Sequence, residues 1–189
     1  MSTSNQRDLA RANDQYAKNF TDGDLPIPPS RKYLIGKPIS DLTIISARFI
    51  GQHNTVTCMD SRIDTFYAFG IKLGEAHIIR NAGGNARDAL RSILISQHFL
   101  GTREIVLIKH TGCGMLTFTN DKAFEKIEER CGAGVLDKGF DFQPYPNTEE
   151  AVKSDVDWLR GNKALVEGTT VSGWIYEVET GHARRVDGA

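Results

Sequence analysis

The chain has 189 residues, of which 40% are hydrophobic and 25% are charged, with a formal net charge of -1 and a pI near 6.5. This length suits one domain with a full hydrophobic core, and the near-neutral charge argues against nucleic acid or an anionic membrane as a partner. No apolar run approaches the roughly 18 residues that span a bilayer, so no membrane partner is expected.

The cysteine count and the N-terminus bear on the compartment. Three cysteines, an odd number, do not form a disulfide framework, which indicates a reducing compartment. The first twenty residues are polar and include Asp8 and Asp14, so they fit neither a secretory signal nor an acid-poor transit peptide. We therefore expect a cytoplasmic protein, with an organelle left open.

Residues 3–20 have the composition of a helix, although its apolar face is thin. The apolar positions at near-helical spacing are Leu9, Ala12, Tyr16, Ala17 and Phe20. Such a helix rarely folds alone, so we expect it to pack across its own domain or on a partner subunit. Residues 21–29, rich in Asp, Gly and Pro, predict an irregular connection. We expect a single domain over residues 1–189, with residues 1–35 as an N-terminal helical arm and linker and residues 36–189 as an α/β core.

The middle of the chain alternates strand patterns with helix patterns. Residues 42–45 are strand-like but could also begin a helix, because periodicity alone does not separate the two. We predict strands at residues 54–58, 75–80 and 105–110, and helices at residues 64–70 and 85–101. The aromatic side chains of the first of these helices are expected in the core; they are Phe66, Tyr67 and Phe69. Because alternating strands and helices require crossover connections, we predict an α/β fold with a mainly parallel central sheet and flanking helices.

The last third of the chain predicts two more helices and a hairpin. Residues 120–130 form a charged helical segment, and residues 148–160 predict a helix with Thr148 as the N-cap and two glutamates in its first turn. Residues 169–180 alternate well enough for a strand. Gly181 then turns the chain toward residues 183–186, which could complete a hairpin.

Three donor groups follow two of the predicted strands. Cys58 ends the first strand, while His110 ends the third and is followed three residues later by Cys113. Parallel strands place their sites at their carboxyl ends, and two cysteines plus one histidine with an open fourth position are typical of catalytic zinc. The alternative is that both cysteines are small buried core residues.

Asp60 and Arg62 follow Cys58 on the same loop. The planar guanidinium of arginine suits a carboxylate, so Arg62 could keep Asp60 ionised and oriented toward the open position of the metal. The alternative is a salt bridge that only stiffens the loop. Two thiolates leave the zinc site near zero formal charge, so we expect an activity that rises toward alkaline pH.

Three sequence blocks resemble the signatures of the β-class carbonic anhydrases, in particular their shorter branch. They are CMDSR at residues 58–62, RNAGG at residues 80–84 and HTGCG at residues 110–114. The resemblance implies reversible hydration of CO2 to bicarbonate and a proton by zinc-bound hydroxide. It also implies one zinc per chain held by Cys58, His110 and Cys113, an Asp60–Arg62 dyad, and an α/β fold that assembles as a homodimer or a multiple of dimers.

The same resemblance raises questions about four residues. In some members the aspartate matching Asp60 leaves its arginine and becomes the fourth zinc ligand in a closed form, which we carry as a hypothesis. Gly112 stands where some members have aspartate, which puts the local hydrogen bonding in doubt. Ala82 and Gly83 are expected to leave room for CO2 beside the metal, and a turn that needs small residues is an equal alternative.

Other functions are compatible with the same motifs. The same scaffold could hydrolyse CS2 or COS, or the protein could bind zinc or an anion without turnover. The hypothesis of a phosphatase-like cysteine nucleophile has weak support, because the sequence spacing between Cys58 and Arg62 does not fit a phosphate-binding loop. Lys109 is expected to point to the opposite side of its strand from His110, and Cys131 to be a spare thiol.

Overall fold

A five-stranded sheet organises the part of the chain that the computed structural model describes, which is residues 3–29 and 53–189. The strands are β1 (His53–Cys58), β2 (Ala76–Asn81), β3 (Glu104–His110), β4 (Thr170–Tyr176) and β5 (Ala183–Arg185). Their order is β2-β1-β3-β4-β5; the first four are parallel, and β5 runs antiparallel to β4. The predicted parallel sheet and C-terminal hairpin are confirmed. The segment 42–45 and the predicted boundary at residue 35 lie outside the described residues.

Five helices accompany the sheet in the described ranges, and most have clear end signals. They are α1 (Ser4–Ala17), α2 (Thr65–Phe69), α3 (Ala86–Leu100), α4 (Asn120–Cys131) and α5 (Thr148–Arg160). Asp64 and Asn85 cap α2 and α3 through their side-chain oxygens, and Gly70 and Gly101 end these helices in the left-handed conformation. The predicted N-cap of α5 was wrong: Asn147, not Thr148, accepts from the backbone amides of Glu149 and Glu150.

The side chains of β3 face two separate clusters because successive residues of a strand point to opposite faces. Ile105 and Leu107 pack with α3 and α5 in the larger cluster, whereas Val106 and Ile108 pack with Cys58, Cys113 and their neighbours. All four side chains are buried, which explains the uninterrupted apolar run of this central strand. His110 therefore lies on the second face, and Lys109 points to the first, as predicted.

Two aromatic side chains of α2 are not core residues in the single chain. Phe66 is 47% exposed and Tyr67 is 83% exposed, contrary to the prediction. Phe69 packs its ring against Tyr176 with centroids 5.5 Å apart. Because α2 has only five residues, one face suffices for its contact with the sheet and the other aromatic rings point outward.

Helix α1 has no buried residue. A capping box at Thr3 and Gln6 begins it, and Leu9 stays 72% exposed. The predicted helix is confirmed, but its apolar side chains find no core within the described chain. In the described ranges, no helix combines the length and the apolar character required to cross a membrane.

Candidate metal centre

Two neighbouring parallel strands bring the three predicted donors together. Cys58 is the last residue of β1 and His110 is the last residue of β3, and these strands are adjacent in the sheet. Gly112, with φ of 59°, then turns the chain so that Cys113 returns toward the strand ends. All three donor side chains are buried.

The spacing of the donor atoms fits a tetrahedral zinc. One donor atom from each of Cys58, His110 and Cys113 lies within 4.8 Å of the others. The two sulfurs are 4.0 Å apart, and two sulfurs at about 2.3 Å from one tetrahedral ion would be about 3.8 Å apart. A disulfide would require about 2.05 Å, so the cysteines are free thiols placed at a ligand distance.

His110 presents the correct nitrogen to this cluster. Its Nδ1 lies 2.8 Å from the carbonyl oxygen of Thr111, and a carbonyl only accepts, so Nδ1 carries the proton. The Nε2 atom is buried and has no hydrogen-bond partner in the part of the chain that the structure describes. An orphaned, lone-pair-bearing nitrogen beside two thiols favours a metal over the alternative of a simple core site.

The two thiols share a proton in the metal-free chain. A hydrogen bond from Cys58 lowers the pKa of Cys113 to about 6, against the opposing effect of burial. The same contact and burial raise the pKa of Cys58 to about 11. One sulfur is thus a thiolate at neutral pH, and the other must lose its proton before it can bind a metal.

Asp60 and Arg62 form a closely bonded pair beside the cluster. Asp60 Oδ1 accepts from the backbone N–H and from Nε of Arg62, both at 2.9 Å, and Oδ2 accepts from Nη2 at 2.7 Å. These bonds hold the pKa of Asp60 well below its usual range. Oδ2 also lies 3.8 Å from His110 Nε2, so the carboxylate faces the donors. The predicted pair is present, and it points into the cluster rather than away from it.

Arg80, part of the second signature block, fixes the backbone of the same loop. Its Nε donates to the carbonyl of Cys58 at 3.0 Å, and its Nη2 donates to the carbonyl of Asp60 at 2.6 Å. The sequence assigned Arg80 no role of its own. Its contacts explain how a loop between β1 and α2 keeps one shape next to the donors.

The Ala82–Gly84 turn, a single 3-10 turn after β2, packs directly on the strand ends. A Cβ atom at Gly83 would lie 2.8 Å from Met115 Cγ and 3.2 Å from Tyr145 Cε1. A Cβ at Gly84 would lie 3.0 to 3.1 Å from backbone atoms of Thr57, Cys58 and Ile108. Both glycines have positive φ, so packing and turn geometry explain them. The role of Ala82 and Gly83 in a CO2 pocket stays a prediction.

The sequence analysis assigned no role to three residues near the site, although it predicted the direction of the Lys109 side chain. Lys109 is only 1% exposed, and its Nζ lies 2.9 Å from Asp155 Oδ2 on α5. The ring of Tyr145 covers the same ammonium, with 4.9 Å between Nζ and the ring centroid. Burial is the main cause that raises the pKa of Tyr145, and a hydrogen bond with the Cys113 sulfur raises it further. A lysine inside an apolar strand was the available signal, because a buried charge needs a partner.

A second carboxylate lies near the mouth of the site. Thr111 Oγ1 donates to Glu179 Oε2 at 2.6 Å, and this bond lowers the pKa of Glu179. Oε1 of Glu179 would be 3.7 Å from a Cβ atom at Gly112. A carboxylate from the β4–β5 connection thus lies beside Gly112.

The other candidate ligands stay apart from this cluster. His77 Nδ1 lies 2.6 Å from Ser96 Oγ, and His98 Nε2 lies 2.9 Å from the carbonyl oxygen of Ala164. Cys131 is an exposed free thiol at the end of α4. Across residues 3–29 and 53–189, no other group of three His, Cys, Asp or Glu donors comes together at a metal-binding distance.

Comparisons with known proteins agree on one family. Residues 54–183 match the carbonic anhydrase family. The chain is 37% identical over 180 residues to β-carbonic anhydrase 1 of Mycobacterium tuberculosis, covering 95% of this chain and 96% of that protein. It is also 35% identical over 147 residues to a carbon disulfide hydrolase of Acidithiobacillus thiooxidans, covering 67% of this chain and 73% of that protein.

Solved structures give the same result for the fold. A carbonic anhydrase from Streptococcus mutans superposes with a TM-score of 0.81 at 35% identity, over 99% of this chain and 100% of that one. A carbonic anhydrase from Glaciozyma antarctica superposes with a TM-score of 0.79 at 36% identity, over 98% and 99% of the two chains.

Proposed function

The chain belongs to the carbonic anhydrase family, in its β class, and from this premise we propose that it catalyses the reversible hydration of CO2 to bicarbonate and a proton. Zinc is the cofactor, one ion per chain. Zinc, when bound, supplies a Lewis acid that makes water a nucleophile near neutral pH. The remaining work falls to the side chains around it.

Cys58, His110 and Cys113 are the proposed zinc ligands. The observation that carries the proposal is the convergence of their three donor atoms within 4.8 Å, beside an ionised Asp60. Three protein ligands leave one position of a tetrahedral site for water, which is the arrangement of catalytic rather than structural zinc sites.

Asp60 is proposed to orient the reacting water, and Arg62 to orient Asp60. An ionised carboxylate offers about four lone-pair sites, and three hydrogen bonds from Arg62 leave one of them available. That site can accept a hydrogen bond from a water molecule and so aim the oxygen atom of the water at CO2. Because Asp60 stays ionised, it accepts this hydrogen bond and does not donate one.

The first test replaces Asp60 by Asn and measures CO2 hydration by stopped flow. Asparagine keeps the size of the side chain but can present an N–H where an acceptor is needed, so kcat should fall about 100-fold while one zinc per chain is retained. Asp157→Asn removes an exposed carboxylate on α5 and serves as the control, with unchanged kcat. Wild-type kcat in Asp60→Asn, with full zinc content, would rule out this role.

The closed form of the site stays a hypothesis for this chain. Asp60 is bonded to Arg62, yet its Oδ2 lies only 3.8 Å from His110 Nε2, so the carboxylate is near one of the atoms that would hold the metal. A structure determined in alkaline buffer with Asp60 on zinc would show that closure is not a simple response to pH.

Hydrolysis of CS2 or COS is a second candidate, supported by the similarity to a protein named carbon disulfide hydrolase. Both are linear electrophiles that water activated at the same metal site could attack, and access would decide between them. Purified holoenzyme should hydrate CO2 and leave CS2 unchanged, with sulfide release as the measurement. Sulfide release that exceeds CO2 turnover would reverse the assignment. A protein that binds zinc and turns over neither substrate would be the non-catalytic alternative.

We also propose a homodimer, or a multiple of dimers, in the cytoplasm, with residues 1–189 as one domain. Three features support the dimer: the apolar side chains of α1 are exposed, Phe66 and Tyr67 on α2 are exposed, and the edge strand β2 pairs only with β1 in the described sheet. Apolar groups exposed together mark interaction surfaces. The odd number of free cysteines supports a reducing compartment.

A further inference from the structure

A buried lysine lies directly behind the candidate metal centre. Lys109 precedes His110 in β3 and points to the opposite face of the sheet, where its side chain is 1% exposed. Its Nζ donates to the carbonyl of Gly83 at 3.1 Å and to that of Gly84 at 3.3 Å. Asp155 Oδ2, at 2.9 Å, is its counterion. A buried ammonium has three N–H donors, and these three acceptors can satisfy all of them.

The ion pair connects four elements of the fold. Lys109 belongs to β3, Gly83 and Gly84 form the turn after β2, and Asp155 lies on α5. Asp155 Oδ2 also accepts from the backbone N–H of Ala86, the first residue of α3, at 3.2 Å. A displacement of any one of these elements would therefore break a buried hydrogen bond, which is costly.

The turn held by Lys109 rests on the metal-binding strands. The backbone N–H of Met59 donates to the carbonyl of Asn81 at 2.9 Å, just before the turn. A Cβ atom on Gly84 would lie 3.0 Å from the backbone of Thr57 and 3.1 Å from that of Cys58, which is closer than most Cβ contacts, so the turn lies tightly against this strand end. A shift of the turn would therefore reach Cys58 directly.

We propose that Lys109 is a positioning residue for the reaction: it fixes the Ala82–Gly84 turn against Cys58 and the end of β3, and Asp155 neutralises its charge. The inference rests on the proposed function, because it takes Ala82 and Gly83 as the wall beside the reacting CO2. Lys109 itself touches neither the donor atoms nor the substrate.

The competing explanation is that the pair only stabilises the fold. Buried ion pairs can often be replaced by uncharged residues with little loss of stability, whereas removal of one partner leaves an unpaired charge. Lys109→Met/Asp155→Asn removes both charges, and the amide oxygen that replaces the carboxylate can still accept from the N–H of Ala86. Lys153→Met, which replaces an exposed lysine on α5 paired with Glu149, is the matched control.

The experiment measures CO2 hydration, zinc content and amide hydrogen exchange on the zinc-loaded variants. In Lys109→Met/Asp155→Asn we expect kcat to fall about tenfold with KM within about twofold, because a misplaced pocket wall harms orientation more than binding. Zinc should stay at one per chain. Peptides covering residues 80–88 should exchange faster, and peptides of α4 should be unchanged. Lys153→Met should keep kcat within about twofold.

Two results would overturn the proposal. They are wild-type kcat with wild-type exchange in the double variant, and a loss of kcat that follows the loss of zinc. Inactivity of the wild-type enzyme toward CO2 would reject the proposed function instead. In that case, unchanged amide hydrogen exchange over residues 80–88 in Lys109→Met/Asp155→Asn would still reject the positioning role of Lys109 on its own.

Discussion

At the scale of single residues, neighbouring groups fix the protonation and the orientation of side chains at the candidate metal centre. The carbonyl oxygen of Thr111 accepts a hydrogen bond from Nδ1 of His110, which leaves Nε2 for the metal. Arg62 keeps Asp60 ionised and oriented. The lowered pKa of Asp60 means that its pair with Arg62 stabilises the fold when the carboxyl group is ionised. A depressed carboxyl pKa contributes stability that is complete above the unfolded value of about 3.9 and is lost as the pH falls through the lower folded value. The pair is therefore intact throughout the neutral and mildly acidic range.

The shared proton of the two thiols gives a prediction for zinc binding. Between pH 8 and 10, Cys113 is already ionised and Cys58 is not, since their pKa values are about 6 and about 11. Binding should therefore release one proton from Cys58, and the Kd for zinc should fall about tenfold for each pH unit. Calorimetry in buffers of different ionisation enthalpy measures the release. A Kd that is independent of pH in this range would contradict the shared proton.

At the scale of elements, close backbone contacts determine where the site can form. The Ala82–Gly84 turn touches the ends of β1 and β3, and α5 lies equally close to β4 at Gly173. A Cβ at Gly173 would overlap Val152 and would lie 2.8 Å from Ala189 Cβ. The helix that carries Asp155 is thus held at a fixed distance from the sheet.

Replacing Gly173 by Ala tests this packing. The added methyl group should force α5 outward and lower the free energy of unfolding by about 1–3 kcal/mol. For a chain of this size, each kcal/mol lowers Tm by about 2–4 °C. Thermal unfolding of the zinc-loaded protein at fixed concentration measures the change. Gly23→Ala, where the new Cβ would meet only Phe20 at 3.7 Å, should leave Tm unchanged. Equal Tm values for the two variants would show that the α5 contact is looser than described.

At the scale of the whole molecule, the described chain leaves apolar surface that one copy does not cover. The rings of Tyr16, near the end of α1, and Phe20, just beyond it, are in tilted contact with centroids 5.4 Å apart, and both remain exposed. A short amphipathic helix gains its stability from tertiary contacts, so α1 should be held by a second copy.

The proposed dimer predicts the effect of charges on α1. Leu9→Glu/Tyr16→Glu should shift the protein toward monomers, because two carboxylates would be buried in the interface. Analytical ultracentrifugation at micromolar concentration measures the change. Lys18→Glu, which places a carboxylate at the polar C-cap residue that follows α1, should leave the mass unchanged. An unaltered mass in the double variant would show that α1 does not contribute to assembly.

The order of strands and helices and the identity of the three donors could be predicted from the sequence, because both depend on local signals. Hydrophobic periodicity defines strands and helices, glycine marks their ends, and parallel strands bring Cys58 and His110 to one edge. The local signal was less precise at α5, where Asn147 and Thr148 are both good caps and only the hydrogen bonds select Asn147.

The pairing of residues far apart in sequence was decided by the tertiary structure alone. Lys109 and Asp155 are joined only when α5 packs across β3, and Tyr145 meets them from a loop. Exposure of Phe66 and Tyr67 likewise depends on what packs against α2. Sequence patterns report which face of an element is apolar. They do not report which distant side chain neutralises a buried charge, because that partner is selected by the packing of the whole chain.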